Sequence, residues 1–192
     1  YDFLLHFIYV YQAQAGINWL EKRNGEIGGQ YDIYYDFAEG TALGGKFGTH
    51  LAVNGSYWAG LKSTYDFADQ TFEHEFMQFG KKYYKDIAVE VRKRFTQNFQ
   101  MIGMYMNQYY NAPILEGKFE DVKTDIVSLE GLYNFTETSS LRLQVQNMWA
   151  SADKGDWGAA LLEFVPNSMF SIYVTDMYNY GNSDTNNRIH YY

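Results

Sequence analysis

Along most of this chain apolar and polar residues alternate singly, in runs separated by polar or glycine-bearing breaks. From Tyr1 to Trp19 the odd positions carry Tyr, Phe, Leu, Phe, Tyr, Tyr, Ala, Ala, Ile and Trp, whereas the even ones include Asp2, His6, Gln12, Gln14 and Asn18. That spacing predicts a long strand with one apolar face, because successive side chains of extended backbone point to opposite sides. The pattern returns with Ile27, Tyr31, Ile33, Tyr35 and Phe37 opposite Glu26, Gln30, Asp32 and Asp36. After a tight turn at Ala38-Glu39-Gly40-Thr41 it resumes through Leu43, Gly45, Phe47, Thr49, Leu51, Val53 and Tyr57, opposite Lys46, His50, Asn54 and Ser56.

Residues Trp58 to Lys81 lose the alternation and mix Lys, Asp, Glu, Gln and His, which predicts a long exposed loop. A strand follows with Tyr83, Lys85, Ile87, Val89, Val91, Lys93 and Phe95 opposite Tyr84, Asp86, Ala88, Glu90, Arg92 and Arg94. Its outward lysines fall near the two ends, where they can snorkel to headgroups. Phe99 to Tyr110 is a further strand whose two faces compete, since Ile102, Met104 and Met106 rival Phe99, Met101 and Tyr105. Val127, Leu129, Gly131, Tyr133 and Phe135, then Leu141, Leu143, Val145 and Trp149, form a hairpin around Thr136-Glu137-Thr138. Ala160, Leu162 and Phe164 lead through Pro166-Asn167-Ser168 to Phe170, Ile172 and Val174, and the chain closes on Arg188-Ile189-His190-Tyr191-Tyr192.

About ten strands result. Links near 40, 97, 137 and 167 are tight; those around 20–25, 58–81, 111–121, 151–156 and 179–187 are mostly longer and more polar. An outer-membrane barrel has this asymmetry, with short turns at one rim and long surface loops at the other. Several strands of about 11 to 14 residues exceed the ~5 to 6 of ordinary sheets and reach the ~9 to 11 that a tilted strand needs to cross a bilayer. Rings gather near strand ends, as in Tyr9/Tyr11, Tyr57/Trp58, Tyr83/Tyr84, Tyr109/Tyr110 and Tyr191/Tyr192, where a lipid-water boundary suits them.

Composition sharpens this picture. Aromatics make up 19% of the 192 residues while mean hydropathy is −0.42, a ring-rich but not greasy chain, as expected when half of each strand faces water. No apolar run approaches the ~18 to 20 residues of a membrane helix, so a membrane placement requires a closed barrel. The net charge of −8 argues against nucleic acid, which needs a basic stripe. Without cysteine there is no disulfide, Cys-based zinc site or thiol catalysis.

The expected fold is therefore all-β: a transmembrane antiparallel up-and-down β-barrel, one domain over 1–192. Both ends fall inside strands, which predicts part of a larger barrel; alternatively Tyr192 is a terminal aromatic of the kind the insertion machinery reads. Facing the lumen are Asp32, Asp36, Lys46, His50, Glu90, Arg92, Arg94, Glu130, Arg142, Gln144, Gln146 and Glu163. Mixed signs in facing rows can set pore selectivity, or pair across strands and brace the wall.

No nucleophile or base-orienter spacing accompanies His50, so no catalytic residue and no enzyme activity is assigned. Glu73-His74-Glu75 offers metal ligands, but neighbours in an extended chain point to opposite sides, and the Asp153, Asp156 and Asp184 loops lack a spaced calcium-ligand set. No metal or cofactor is expected.

The Tyr-rich alternating strands, Gly-Gly-Lys-Phe-Gly-Thr-His at 44–50, and Asp-Met-Tyr-Asn-Tyr-Gly-Asn at 176–182 followed by Arg-Ile-His-Tyr-Tyr at 188–192 resemble uncharacterised outer-membrane barrels of Bacteroidota. The resemblance implies the bacterial outer membrane, contact with its lipopolysaccharide and phospholipid, and a place beside other outer-membrane proteins or lipoproteins. Such barrels often serve as subunits of uptake, secretion or barrel-assembly complexes. Two roles follow as expectations: a structural or accessory subunit, or a porin-like channel for small solutes. A soluble secreted β-sheet binding protein is the fallback.

Overall fold

A computed structural model describes residues 25–118 and 120–192; the strand expected over Tyr1–Trp19, with His6, lies outside them. The elements run β1 (Glu26–Phe37), β2 (Thr49–Asp66), β3 (Thr71–Arg94), β4 (Phe99–Tyr110), a short helix α1 (Ala112–Glu116), β5 (Val122–Asn134), β6 (Ser140–Ala150), β7 (Trp157–Asn167), β8 (Phe170–Tyr178) and β9 (His190–Tyr191). Each strand pairs antiparallel with its sequence neighbours, in one nine-stranded sheet ordered β1 to β9. The architecture is thus all-β and up-and-down as expected, but the described sheet is open: it does not close into a barrel.

Alternation sets the register. The pairs Ile33↔Val53, Val53↔Val89, Val89↔Tyr105 and Tyr105↔Val127 put one set of side chains on the outward face. The pairs Glu90↔Met104, Met104↔Ser128 and Ser128↔Gln146 put the other set on the inward one. This resolves the two-way reading of β4: Met104, Met106 and Gln108 are buried inward and Tyr105 is exposed outward.

Three expectations are corrected. Residues 43–48 are not strand. Residues 38–48 form a compact turn in which the Thr41 hydroxyl donates to the Ala38 carbonyl at 2.7 Å and accepts from the Gly44 amide at 2.9 Å. A Cβ on Gly44 would lie 1.9 Å from that carbonyl, so only glycine fits; its place in the sequence mimics a continuing strand. Lys46 therefore sits on this turn and not on a strand, with its ammonium 5.3 Å from the Phe47 ring centre.

The loop expected over 58–81 is instead a hairpin, since β2 continues to Asp66 and β3 starts at Thr71. Asp66 caps its tip by accepting from the amide of Ala68 at 2.7 Å. Beyond the sheet neither face of a ribbon is buried, so nothing imposes an apolar-polar alternation there. Tyr83, expected outward, is buried to 1% because Trp58↔Tyr84 is followed by Ala59↔Lys82, which makes Tyr83 the extra residue of a β-bulge.

The link after β4 holds α1. Asn111 caps it by accepting from the Ile114 amide at 3.1 Å, Pro113 stands in its first turn, and Gly117 ends it at φ 71°. Ala112 and Leu115 are buried by it. Among the described residues no helix is long and apolar enough to cross a membrane, which bears only on helical spans.

Candidate functional site

The inward face gathers eleven of the twelve residues expected to line a lumen, all except Lys46, on one side of the sheet by register. They form rows. Asp36 stands opposite His50, His50 opposite Arg92, Ile102 opposite Glu130, and Glu130 opposite Gln144. Nearer the short-turn rim, Arg94 leads through Gln100 and Leu132 to Arg142 and Glu163.

These groups mostly bind one another. His50 Nδ1 lies 2.7 Å from the Asp36 carboxylate, and its ring stacks on Tyr34 at 5.9 Å. Asn54 donates to Asp32, and the Arg92 guanidinium donates to Glu90, which is only 3% exposed. Burying a carboxylate so deeply is costly unless it is paired, and the guanidinium supplies the partner. Arg142 pairs with Glu163 at 3.4 Å, and Ser171 donates to the same carboxylate at 2.7 Å.

A buried chain that the sequence reading did not single out runs beside them. The Thr124 hydroxyl donates to Gln108 at 3.1 Å, Gln108 to the Tyr84 hydroxyl at 3.0 Å, and Tyr84 to Asp86 at 2.9 Å. Its signal was the even positions of β4 and β5, obscured by the two-way reading of β4. Between this chain and Glu90 lies a trough of about 300 Å³ lined by Gln30, Asp32, Asn54, Ser56, Asp86, Met104 and Met106 among others.

Toward the long-loop rim the inward face turns apolar. Met106, Ile126, Met148, Trp157, Val122 and Ala112 form one buried cluster, and Leu115 of α1 packs on Tyr83 in a second. The connection after β4 thus packs against this end of the sheet through Ala112 and Leu115. Beyond α1 it is pinned: the Lys118 ammonium meets Glu116 at 2.7 Å and Asp153, on the neighbouring loop, at 2.9 Å. Burial works to lower the Lys118 pKa, but those two carboxylates outweigh it and hold the ammonium above the ordinary lysine value.

The outward face is the reverse. Ile33, Leu129, Leu143 and Val145 are 58%, 48%, 50% and 44% exposed, with no second layer over them among the described residues. Around the short-turn rim the rings touch in series, Tyr133 to Phe135 at 5.0 Å, Phe135 to Phe164 at 6.4 Å and Phe95 to Phe99 at 5.9 Å. Outward phenols also reach acids: Tyr105, in the middle of β4, to Asp125 at 2.5 Å, and Tyr109, nearer the opposite rim, to Asp121 at 2.7 Å.

Among the described residues no three His, Asp or Glu side chains converge as a metal site. In the Glu73-His74-Glu75 stretch Glu75 is instead paired with Lys62 at 2.8 Å. The profile of a family described as "Family of unknown function (DUF6029)" matches residues 1–192. No curated protein and no solved structure matches the chain.

Proposed function

The chain belongs to this family of unknown function, and we propose that it is an integral β-barrel protein of the bacterial outer membrane, acting as a structural or accessory subunit of a larger outer-membrane complex. One observation carries the reading: burial is inverted with respect to polarity. Glu90, Gln144 and Ser128 are 3%, 4% and 2% exposed on the inward face, while Ile33, Tyr35, Leu129, Leu143, Val145 and Leu162 stand exposed on the outward one, which turns polar only toward the long-loop half, at residues such as Asn107 and Asp125. In water those exposed side chains would be a large unpaid apolar patch; against hydrocarbon they are the favourable surface, and the inward polar rows stay hydrated or paired.

The paired strand lengths fit the same solvent. From Tyr84 to Arg94 β3 is paired on its β4 side for 11 residues, which meets the ~9 to 11 that a tilted strand needs. Rings lie toward both rims, Phe95, Phe99, Tyr133, Phe135 and Phe164 at one and Tyr109 and Trp149 nearer the other, which suits two interfaces. The resemblance of its motifs to Bacteroidota barrels supports the same location.

A subunit role is favoured over a pore by the inward face itself. Apolar packing of Met106, Ile126, Met148 and Trp157, with Ala112 of α1 among them, makes that half of the inward face a poor lining for an aqueous path. The test uses the full-length protein. It is expected to fractionate with outer membranes, to migrate differently on gels before and after heating, and to give no stable conductance steps in planar bilayers. Steady ohmic steps would replace the subunit with a channel. Fractionation with soluble material and no heat-dependent migration would remove the barrel and leave a secreted β-sheet protein.

A further inference from the structure

Among the described residues β1 pairs no further than Gly60, with one more bond from the Leu61 amide to the Gly25 carbonyl at 3.2 Å, and β4 no further than Tyr84, so the β2–β3 hairpin runs on past both as a two-stranded ribbon. Residues 62–66 and 71–82 pair only with one another among the described strands. The ribbon projects ~20 Å at the rim of the long connections.

Its shape displays rings. Leu61 pairs with Phe79 and Ser63 with His74, so two steps along β2 oppose five along β3, and the surplus bulges out. Within that bulge Met77 has φ 61°, a conformation that a long side chain adopts only where surroundings impose it. Phe76 is 90% exposed, Met77 63%, and Phe67 at the tip 86%. Bulges that re-aim side chains mark functional surfaces more often than defects.

Its outer end is acidic. Residues 66–75 hold Asp66, Asp69, Glu73 and Glu75 and no lysine or arginine, whereas Lys62, Lys81 and Lys82 stand toward the base, where Lys62 pairs with Glu75 at 2.8 Å. We propose that this ribbon is a docking arm whose partner is a protein with a basic surface around an apolar pocket that receives Phe67 and Phe76. Exposed rings supply the anchors of such contacts, and complementary charge selects and steers the partner. A second copy does not fit. On the membrane placement proposed above, neighbouring copies share one orientation, so their acidic tips would face each other.

The test is a photo-reactive phenylalanine analogue placed at position 67 or 76 of the full-length protein in its native membranes, with position 129 on the outward wall as control. Both ribbon positions are expected to crosslink one and the same protein, at a peptide beside a lysine- and arginine-rich surface, while position 129 does not. Yield is expected to fall about tenfold between low and high salt, and about as far in a D69K/E73K variant. Adducts with a second copy or with lipid, adducts indifferent to salt and charge reversal, or no adduct would each overturn the arm. Heat-dependent gel migration of the same samples reports on the barrel separately, so either idea can fail while the other stands.

Discussion

The ammonium of Lys93 stands 2.8 Å from the hydroxyl of Thr49 and 2.9 Å from the carbonyl of Leu43. This lysine was expected to reach headgroups from the outward row. Instead it is consumed by the 38–48 turn, whose carbonyls it satisfies. Lys93→Met keeps the apolar stem and removes the donor, and is expected to lower stability by about 1 to 3 kcal/mol. The urea midpoint of protein refolded into vesicles measures it; an unchanged midpoint would mean that the turn holds without the lysine.

Leu129 separates the two possible solvents. In water a half-exposed leucine on a sheet tolerates arginine at a cost within roughly 0.5 kcal/mol. In a bilayer the same change costs about 2 to 4 kcal/mol near the midplane. Leu129→Arg is expected to show the larger loss in vesicles, and the small one would speak for an aqueous surface.

Leu115 is buried against Tyr83 although it belongs to a helix of only five residues. Leu115→Ala is expected to cost about 2 to 3 kcal/mol, since little around the bulged Tyr83 can collapse into the space. Its neighbour Ile114, only partly buried, should lose less when cut to alanine. Equal losses at the two positions would show that α1 rests on the sheet rather than fills it.

Lys118 gives a pH signature. Its folded pKa lies above the ordinary 10.5, so the bridges to Glu116 and Asp153 contribute in full below that value and fade as pH rises through the folded pKa. The stability difference between the native chain and Lys118→Met is therefore expected to be flat from neutral pH to about 10 and to shrink above it. A difference that grows with pH in that range would contradict the pairing. Because Lys118 is partly exposed, the effect should also weaken with salt.

Where one face of a strand is buried, the sequence was readable residue by residue. Leu129, Tyr133, Leu143 and Val145 lie outward and Glu130, Gln144 and Gln146 inward as the alternation requires. The hairpin between β5 and β6 needed nothing more. The ribbon was missed for the converse reason: Lys62, Glu73 and Glu75 meet solvent on either side, so its pairing leaves no periodic trace. Gly44 and Gly45 misled differently, since their spacing continues the β2 pattern while Gly45, at φ 63°, reverses the chain. Tyr83 faces inward only because of a one-residue slip against β2, and such slips are set by pairing partners rather than by local composition. The Thr124–Gln108–Tyr84–Asp86 chain is likewise invisible until register is known.

The sheet adds each strand beside the one made just before it, with no crossover anywhere in the described order. A chain built this way can form by zippering: every hairpin closes a short loop and then serves as the template for the next. Folding need not wait for distant segments to meet, and a growing edge can be handed on strand by strand as the polypeptide arrives. By the same logic an interruption at β5 would strand two half-sheets, whereas loss of β9 would cost its two pairings and the contacts of His190 with Asp176 and Tyr178 and of Tyr191 with Trp157, all at one edge.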